Sequence, residues 1–249
     1  MNTVSVILPT FNESENIGPL IESICTNVKN LKEIIISDDD SPDGTIDIAL
    51  QWAKKNKKTD RIVTIRRTRD HGLCQSISEG ILKASGDIIV WMDADFSHPP
   101  EVINALTREV QHGLDIAVAS RYIHGGKTKE TKGSSELWYT IWISTIANRL
   151  MRLLFGVSFY DFTSGFIAVK RTVIRKLPLR GSYGEYFIDF IIRAFRNGYS
   201  IIEIPFTSKP RAYGESKTVT NLPMLVRRCY QYGTVVLKLA WETHTLKKT

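Results

Sequence analysis

Short apolar runs and longer mixed stretches alternate along the first 120 residues. The runs at 4–8, 33–37, 61–65, 87–92 and 114–119 have the length and β-branched content of buried strands. The stretches between them, 14–28, 44–55, 72–84 and 99–111, read as helices, which predicts an α/β domain with a largely parallel sheet. Further on, 135–156 and 186–197 read as helices and 166–170 and 200–205 as strands, with no internal repeat or low-complexity tract.

Acidic residues collect where these strands end. Asp93-Ala94-Asp95 follows the run Ile88-Ile89-Val90-Trp91-Met92, and strand alternation puts Asp93 and Asp95 on one face. A hard divalent cation takes such oxygens and leaves room for water and substrate phosphates; a solvated loop that happens to hold two acids is the other reading. Asp38-Asp39-Asp40 closes the run at 33–37, and Pro9-Thr10-Phe11-Asn12-Glu13 closes the first run. An Asx-rich turn accounts for 41–45 but not for three consecutive acids. Ligands of open α/β sheets bind outside the carboxyl ends of the strands, so three such ends would form a nucleotide pocket.

Composition narrows the class. With 249 residues, 43% hydrophobic and 24% charged, the chain suits one globular α/β domain. Cys25, Cys74 and Cys229 are widely spaced and unpaired in pattern, which suggests a reducing compartment and no zinc site. The start of the chain lacks a basic region followed by an apolar core, so no signal peptide is expected. A net charge of +7 calls for anionic partners: nucleic acid, nucleotide-sugar phosphates or an acidic membrane surface. No aromatic-interleaved basic stripe, helix-turn-helix pattern or zinc-finger spacing occurs, which argues against nucleic acid. The lysines of 54–58 sit at a helix end, where cations complement the dipole. Dinucleotide, P-loop, zincin and α/β-hydrolase signatures are also missing.

Six segments occur in a telling order: Pro9-Thr10-Phe11-Asn12-Glu13, Asp39-Asp40-Ser41-Pro42-Asp43-Gly44-Thr45, Asp93-Ala94-Asp95-Phe96-Ser97-His98-Pro99-Pro100, Ser120-Arg121-Tyr122, Asp161-Phe162-Thr163-Ser164-Gly165-Phe166 and Arg211-Ala212-Tyr213-Gly214-Glu215-Ser216-Lys217. Together they resemble the family 2 glycosyltransferases, in the branch of the dolichol-phosphate (polyprenyl-phosphate) mannose synthases, over roughly residues 4–220. The resemblance implies a GT-A fold: one catalytic domain over 1–220, with a nucleotide-sugar half to about 122, an acceptor half from about 123, and a helical tail over 221–249.

The resemblance also assigns roles. Asp95, helped by Asp93, would hold Mg²⁺ or Mn²⁺ to neutralise the leaving diphosphate. Glu13 and Asp39 would meet the base or ribose of the nucleotide sugar, seated by Pro9 and Phe11, although Glu13 also reads as an acid favoured near a helix start. Arg121, Arg211, Lys217 and Lys132 would meet the acceptor phosphate, although surface salt bridges explain such cations too. Asp161 would orient a basic residue or a sugar hydroxyl, unless it simply builds a turn. His98 would reach the diphosphate or pack above the next helix.

The basic cluster that relatives carry just ahead of the acceptor-side helix is replaced here by Trp138-Tyr139-Thr140-Ile141-Trp142, while Lys127, Lys129 and Lys132 lie earlier. The apolar segments 141–159 and 222–241 are both broken by charged residues, so no spanning helix is expected. Trp138, Trp142, Leu150, Leu153 and Leu154 suit a headgroup layer or a core stripe, and Lys247 and Lys248 add modest attraction to lipid. The expected protein is thus a peripheral enzyme of the cytoplasmic membrane face, with a small membrane subunit among its partners. The expected activity is inverting transfer of a hexose, mannose from GDP-mannose, to a polyprenyl phosphate. Open alternatives are a UDP-glucose or UDP-GlcNAc donor, a non-lipid glycan acceptor, a non-catalytic sugar-nucleotide binder and a nucleotidyltransferase.

Overall fold

In the computed structural model, which describes residues 2–128, 138–213 and 222–246, seven strands form one sheet. They are β1 (Val4–Thr10), β2 (Leu31–Asp38), β3 (Ile62–Arg66), β4 (Ile88–Trp91), β5 (Ile116–Ser120), β6 (Ile167–Lys170) and β7 (Ile201–Pro205), in the order β3-β2-β1-β4-β6-β5-β7. β6 runs antiparallel to β4 and β5, and every other pairing is parallel. Strand order reverses between β1 and β4, the place where ligands of open α/β sheets bind in a crevice beyond the carboxyl ends of the strands.

The helices are α1 (Ser14–Asn27), α2 (Thr45–Lys55), α3 (Leu73–Lys83), α4 (Ile103–Gln111), α5 (Trp138–Phe155), α6 (Arg171–Lys176), α7 (Glu185–Arg196) and α8 (Leu222–Leu246). Because strand side chains alternate, Val4, Val6 and Leu8 pack toward α1, α2 and α4 while Ile7 packs toward α3 and α7. Two buried cores result, one on each face. Gly80 lets α3 approach β1 closely, since a Cβ there would collide with Ile7. α7 is buried along most of its length, through Tyr186, Phe187, Phe190, Ile191 and Ala194.

The expected strands and helices are present with small shifts at their ends, and three details differ. The stretch 99–111 opens as a 3₁₀ turn, Pro100–Val102, of the kind common at helix starts. The short helix α6 follows β6 without a loop and was not anticipated. β4 ends at Trp91, so the alternation that placed Asp93 and Asp95 on one strand face does not apply.

Candidate active site at the carboxyl ends of the strands

Beyond β4 the chain turns through Phe96, whose φ of 65° lies in the left-handed region. Asp95 Oδ1 accepts the Ser97 amide at 2.9 Å, an Asx turn that directs the carboxylate inward. Its Oδ2 meets Arg211 Nη1 at 2.9 Å, and the side chain is buried. Burial alone would raise the Asp95 carboxyl, but the Arg211 guanidinium and the Ser97 amide hold it below the ordinary value. Asp93 points the other way, with 48% of its side chain open to the crevice. The protein around it and the neighbouring Asp95 charge nevertheless push its carboxyl up, against the pull of His98.

His98 lies between these acids and the core. It stacks on Phe166 at 4.9 Å and meets the edge of Phe206 at 5.8 Å. Its Nδ1 accepts the Asp93 amide at 3.0 Å, so a neutral ring carries its proton on Nε2, 4.0 Å from the Asp93 carboxylate. Burial lowers its pKa despite the two nearby acids. His98 therefore both packs and fixes the Asp93 turn.

A strap after β7 crosses this turn. Lys209 N donates to Ser97 O at 3.2 Å, Ala212 N to Asp95 O at 3.2 Å, and Asn16 Nδ2 to Tyr213 O at 3.3 Å. These bonds bring Arg211 onto Asp95 and tie the strap to α1. Arg211 Nε is buried and meets no acceptor among the described residues.

The acids of β2 are bound within the protein. Asp38 Oδ2 accepts the Thr10 and Ser41 hydroxyls at 2.7 and 2.6 Å. Asp39 accepts the Gly72 amide at 2.8 Å and pairs with the buried Arg67, and burial still raises its carboxyl. Asp43 accepts the Thr45 hydroxyl and amide at 2.6 and 3.0 Å and the Ser14 amide at 2.9 Å, so the 41–45 segment is the anticipated Asx turn. Glu13 precedes α1, its carbonyl accepts the Asn16 and Ile17 amides, and its carboxylate accepts Asn16 Nδ2 at 2.7 Å. Pro9, next to last in β1, pairs with Ser37, and Phe11 is exposed just beyond the strand.

Across the crevice, Asp161 is fully buried and grips Arg121. Arg121 Nε and Nη2 donate to its two oxygens at 2.9 and 2.8 Å, and the Arg121 amide adds a third bond at 3.0 Å. Arg121 Nη2 also donates to Thr163 Oγ1 at 2.9 Å. The Asp161 charge and its hydrogen bonds raise the Arg121 pKa although burial opposes this, so the guanidinium stays charged. Asp161, expected to orient a basic residue or a sugar hydroxyl, has its carboxylate bound to Arg121. Lys217, Lys132 and Lys129 lie outside the described residues.

Two elements of this region were not picked out from the sequence. Arg67 is one, yet it anchors Asp39 and also reaches Glu79 at 3.1 Å. Glu203 stands in the apolar run Ile201-Ile202-Glu203-Ile204, and that lone acid was the available signal.

The donor chemistry of Asp93 and Asp95 fits a hard divalent cation. Mg²⁺ is usually held by one or two carboxylates plus substrate phosphates rather than by a full protein cage, and no group of three or more potential ligands occurs among the described residues. The Arg211 guanidinium already supplies a positive charge at Asp95, and its orphan Nε suits an anion alongside.

Residues 5–178 match the model of the family described as Glycosyl transferase family 2. The chain is 38% identical over 218 residues to a dolichol-phosphate mannosyltransferase of Pyrococcus furiosus, covering 86% of this chain but only 58% of that protein. It is 37% identical over 218 residues to a polyprenol monophosphomannose synthase of Mycolicibacterium smegmatis, covering 85% of this chain and 79% of that one. Its fold matches glucosyl-3-phosphoglycerate synthase of Mycobacterium tuberculosis, solved with Mn²⁺, UDP and phosphoglyceric acid, at a TM-score of 0.71, 21% identity and coverage of 96% and 78%. A second crystal structure of that enzyme, with Mg²⁺ and UDP, matches at 0.70 and 21% identity, covering 96% and 79%. The fold is GT-A.

Proposed function

We propose, from the premise that this chain belongs to glycosyl transferase family 2, that it transfers mannose from GDP-mannose to a polyprenyl phosphate with inversion at the sugar carbon. The chain spans about three-fifths of the P. furiosus relative, 58%, so donor and acceptor are assigned here as a reading. One observation carries it: a carboxylate pair with Arg211 faces the Asp161-anchored Arg121 at one rim of the sheet.

That rim divides the work. Asp93 and Asp95 would hold Mg²⁺ or Mn²⁺, which supplies Lewis-acid neutralisation of the departing diphosphate. Glu13 and Asp39 lie at the neighbouring strand ends, where the nucleoside of the donor would be seated, with Pro9 and Phe11 beside it. Asp39 offers only what Arg67 and Gly72 leave open, so the Arg67 pair fixes the direction in which it accepts a bond. Arg121 and Arg211 would hold the acceptor phosphate in line with the sugar carbon, joined by Lys217 and Lys132 from the flanking segments. A phosphate monoester with a second pKa near ~6 is mostly dianionic at neutral pH, so its oxygen needs no strong general base. The work is positioning and charge stabilisation, which partly buried, anchored guanidiniums supply without reorganising.

The same reading places the enzyme at a membrane surface. No helix among the described residues is long and apolar enough to cross a bilayer. α5 nonetheless exposes Trp142 (65%), Leu150 (56%) and Leu153 (82%), with Arg149 and Arg152 alongside. A hollow of ≈ 490 Å³ along α5 is lined by Ile146, Leu150, Leu153 and Gly156 together with Arg149 and Arg152. Apolar residues flanked by arginines suit an interfacial helix on anionic lipid, and the hollow suits a prenyl chain. The test is release of GDP or UDP from a panel of nucleotide sugars, with and without a polyprenyl phosphate in detergent. GDP released from GDP-mannose only with the lipid supports the reading. Turnover that ignores the lipid, or that favours UDP-sugars, overturns the acceptor or the donor.

A further inference from the structure

Glu203 lies in β7, opposite Val118 of β5, and its carboxylate faces the loop that carries Asp161. Its Oε2 accepts the Tyr160 amide at 2.8 Å and its Oε1 accepts the Asp161 amide at 3.0 Å. The Ser120 hydroxyl lies beside the same carboxylate, and Ser120 is the residue before Arg121. One acid thus braces the main chain of Asp161 and the strand end that delivers Arg121. The Phe206 amide bonds to Ser120 O at 3.1 Å, so β7 holds that strand end from its backbone as well.

This placement is electrostatically costly. Burial and the nearby Asp161 charge raise the Glu203 carboxyl in spite of its two amide donors. A threonine or valine would suit a strand at lower cost. The carboxylate offers two acceptors at the spacing of two successive amides, which no uncharged strand residue provides.

We propose that Glu203 is a positioning residue that sets the geometry of the Arg121–Asp161 pair by holding both of its backbone supports. The inference rests on the reading of Arg121 as a cation for the acceptor phosphate. It predicts that loss of Glu203 is felt through Arg121: binding of the acceptor suffers, while the donor side, built on β1, β2 and β4, does not.

The test is a double-mutant cycle of Glu203→Gln with Arg121→Ala, in the full chain, with polyprenyl phosphate as acceptor. Gln keeps the volume but loses one acceptor, so kcat/KM for the lipid should fall about tenfold, with KM for GDP-mannose unchanged. In the Arg121→Ala background the same substitution should cost less than about twofold. Equal losses in both backgrounds would overturn the proposal. Ser120→Ala, a milder variant, should show the same non-additivity at smaller amplitude if Glu203→Gln folds poorly. A second readout needs no substrate. In protein labelled with ¹⁵N at arginine Nε, the Arg121 signal, assigned by its loss in Arg121→Lys, should exchange with solvent about tenfold faster in Glu203→Gln. Unchanged exchange sinks the inference even if the enzyme is a mannosyltransferase. Faster exchange upholds it even if the wild-type chain ignores the lipid, in which case only the acceptor reading fails.

Discussion

The two rims of the sheet differ in how they hold several of their acids. At the rim where the parallel strands begin, Glu33 accepts the Ser5 and Ser85 hydroxyls at 2.7 and 2.9 Å and the Ser85 amide at 2.7 Å. Asp115 pairs with Lys170 at 2.9 Å and accepts the Ser200 amide and hydroxyl at 3.0 and 2.9 Å. Burial would raise both carboxyls, but these donors overcome it and hold them below their ordinary values. At the rim where the parallel strands end, burial raises Asp39, Asp93 and Glu203 beyond what their donors offset, and of the Asp93–Asp95 pair only Asp95, on Arg211 and Ser97, is held low. The first arrangement serves folding. The second is typical of sites where charge is kept ready for a ligand, and it marks the crevice independently of any motif.

The contrast makes substitutions at the two rims separable. Asp95→Asn should cut turnover by on the order of 10³ with melting within a few degrees of wild type, measured by GDP release and circular dichroism. Next in size, Arg121→Ala should lower turnover on the order of 10²-fold, mainly as weaker use of the acceptor, in steady-state kinetics with the lipid varied. At the opposite rim, Glu33→Ala leaves the Ser5 hydroxyl and Ser85 amide without their acceptor. It should cost about 1–3 kcal/mol in urea unfolding while turnover per folded molecule stays the same.

The pH dependence of that rim has a definite sign. The folded pKa of Glu33 lies below its ordinary value of 4.5, so the unfolded chain binds its proton first as pH falls. Its contribution is therefore complete above that value and is lost as pH drops through the folded pKa. Glu33→Gln should flatten the acid limb of stability between about pH 5 and 3, read from urea midpoints. The smallest effect is Lys170→Ala, where a partly exposed pair with Asp115 is lost. About 0.5 kcal/mol and no change in turnover are expected, by the same unfolding assay.

Much of this was legible in the chain. Short apolar runs ending in acids located the strands and the crevice, since a buried strand and its polar exit differ sharply in composition. What stayed hidden was pairing over distance. Arg121 and Asp161 were each singled out, but nothing local joins residues 40 positions apart into one bidentate pair. Arg67 and Asp39 meet only because β2 and β3 are adjacent in the sheet. The four residues of β6 read correctly as a strand, yet a run that short does not encode that it lies antiparallel between β4 and β5. The inward turn of Asp95 depends on Phe96 in a left-handed conformation, rarely adopted by a bulky residue and not anticipated from alternation.

The most direct test of the account is Mn²⁺ binding followed by electron paramagnetic resonance, with and without GDP, in the wild-type chain and in Asp95→Asn. The account predicts that GDP strengthens Mn²⁺ binding to the wild type and that Asp95→Asn abolishes this gain while the protein stays folded. Nucleotide-linked Mn²⁺ binding that survives Asp95→Asn would contradict it and move the cation away from the rim where the strands end.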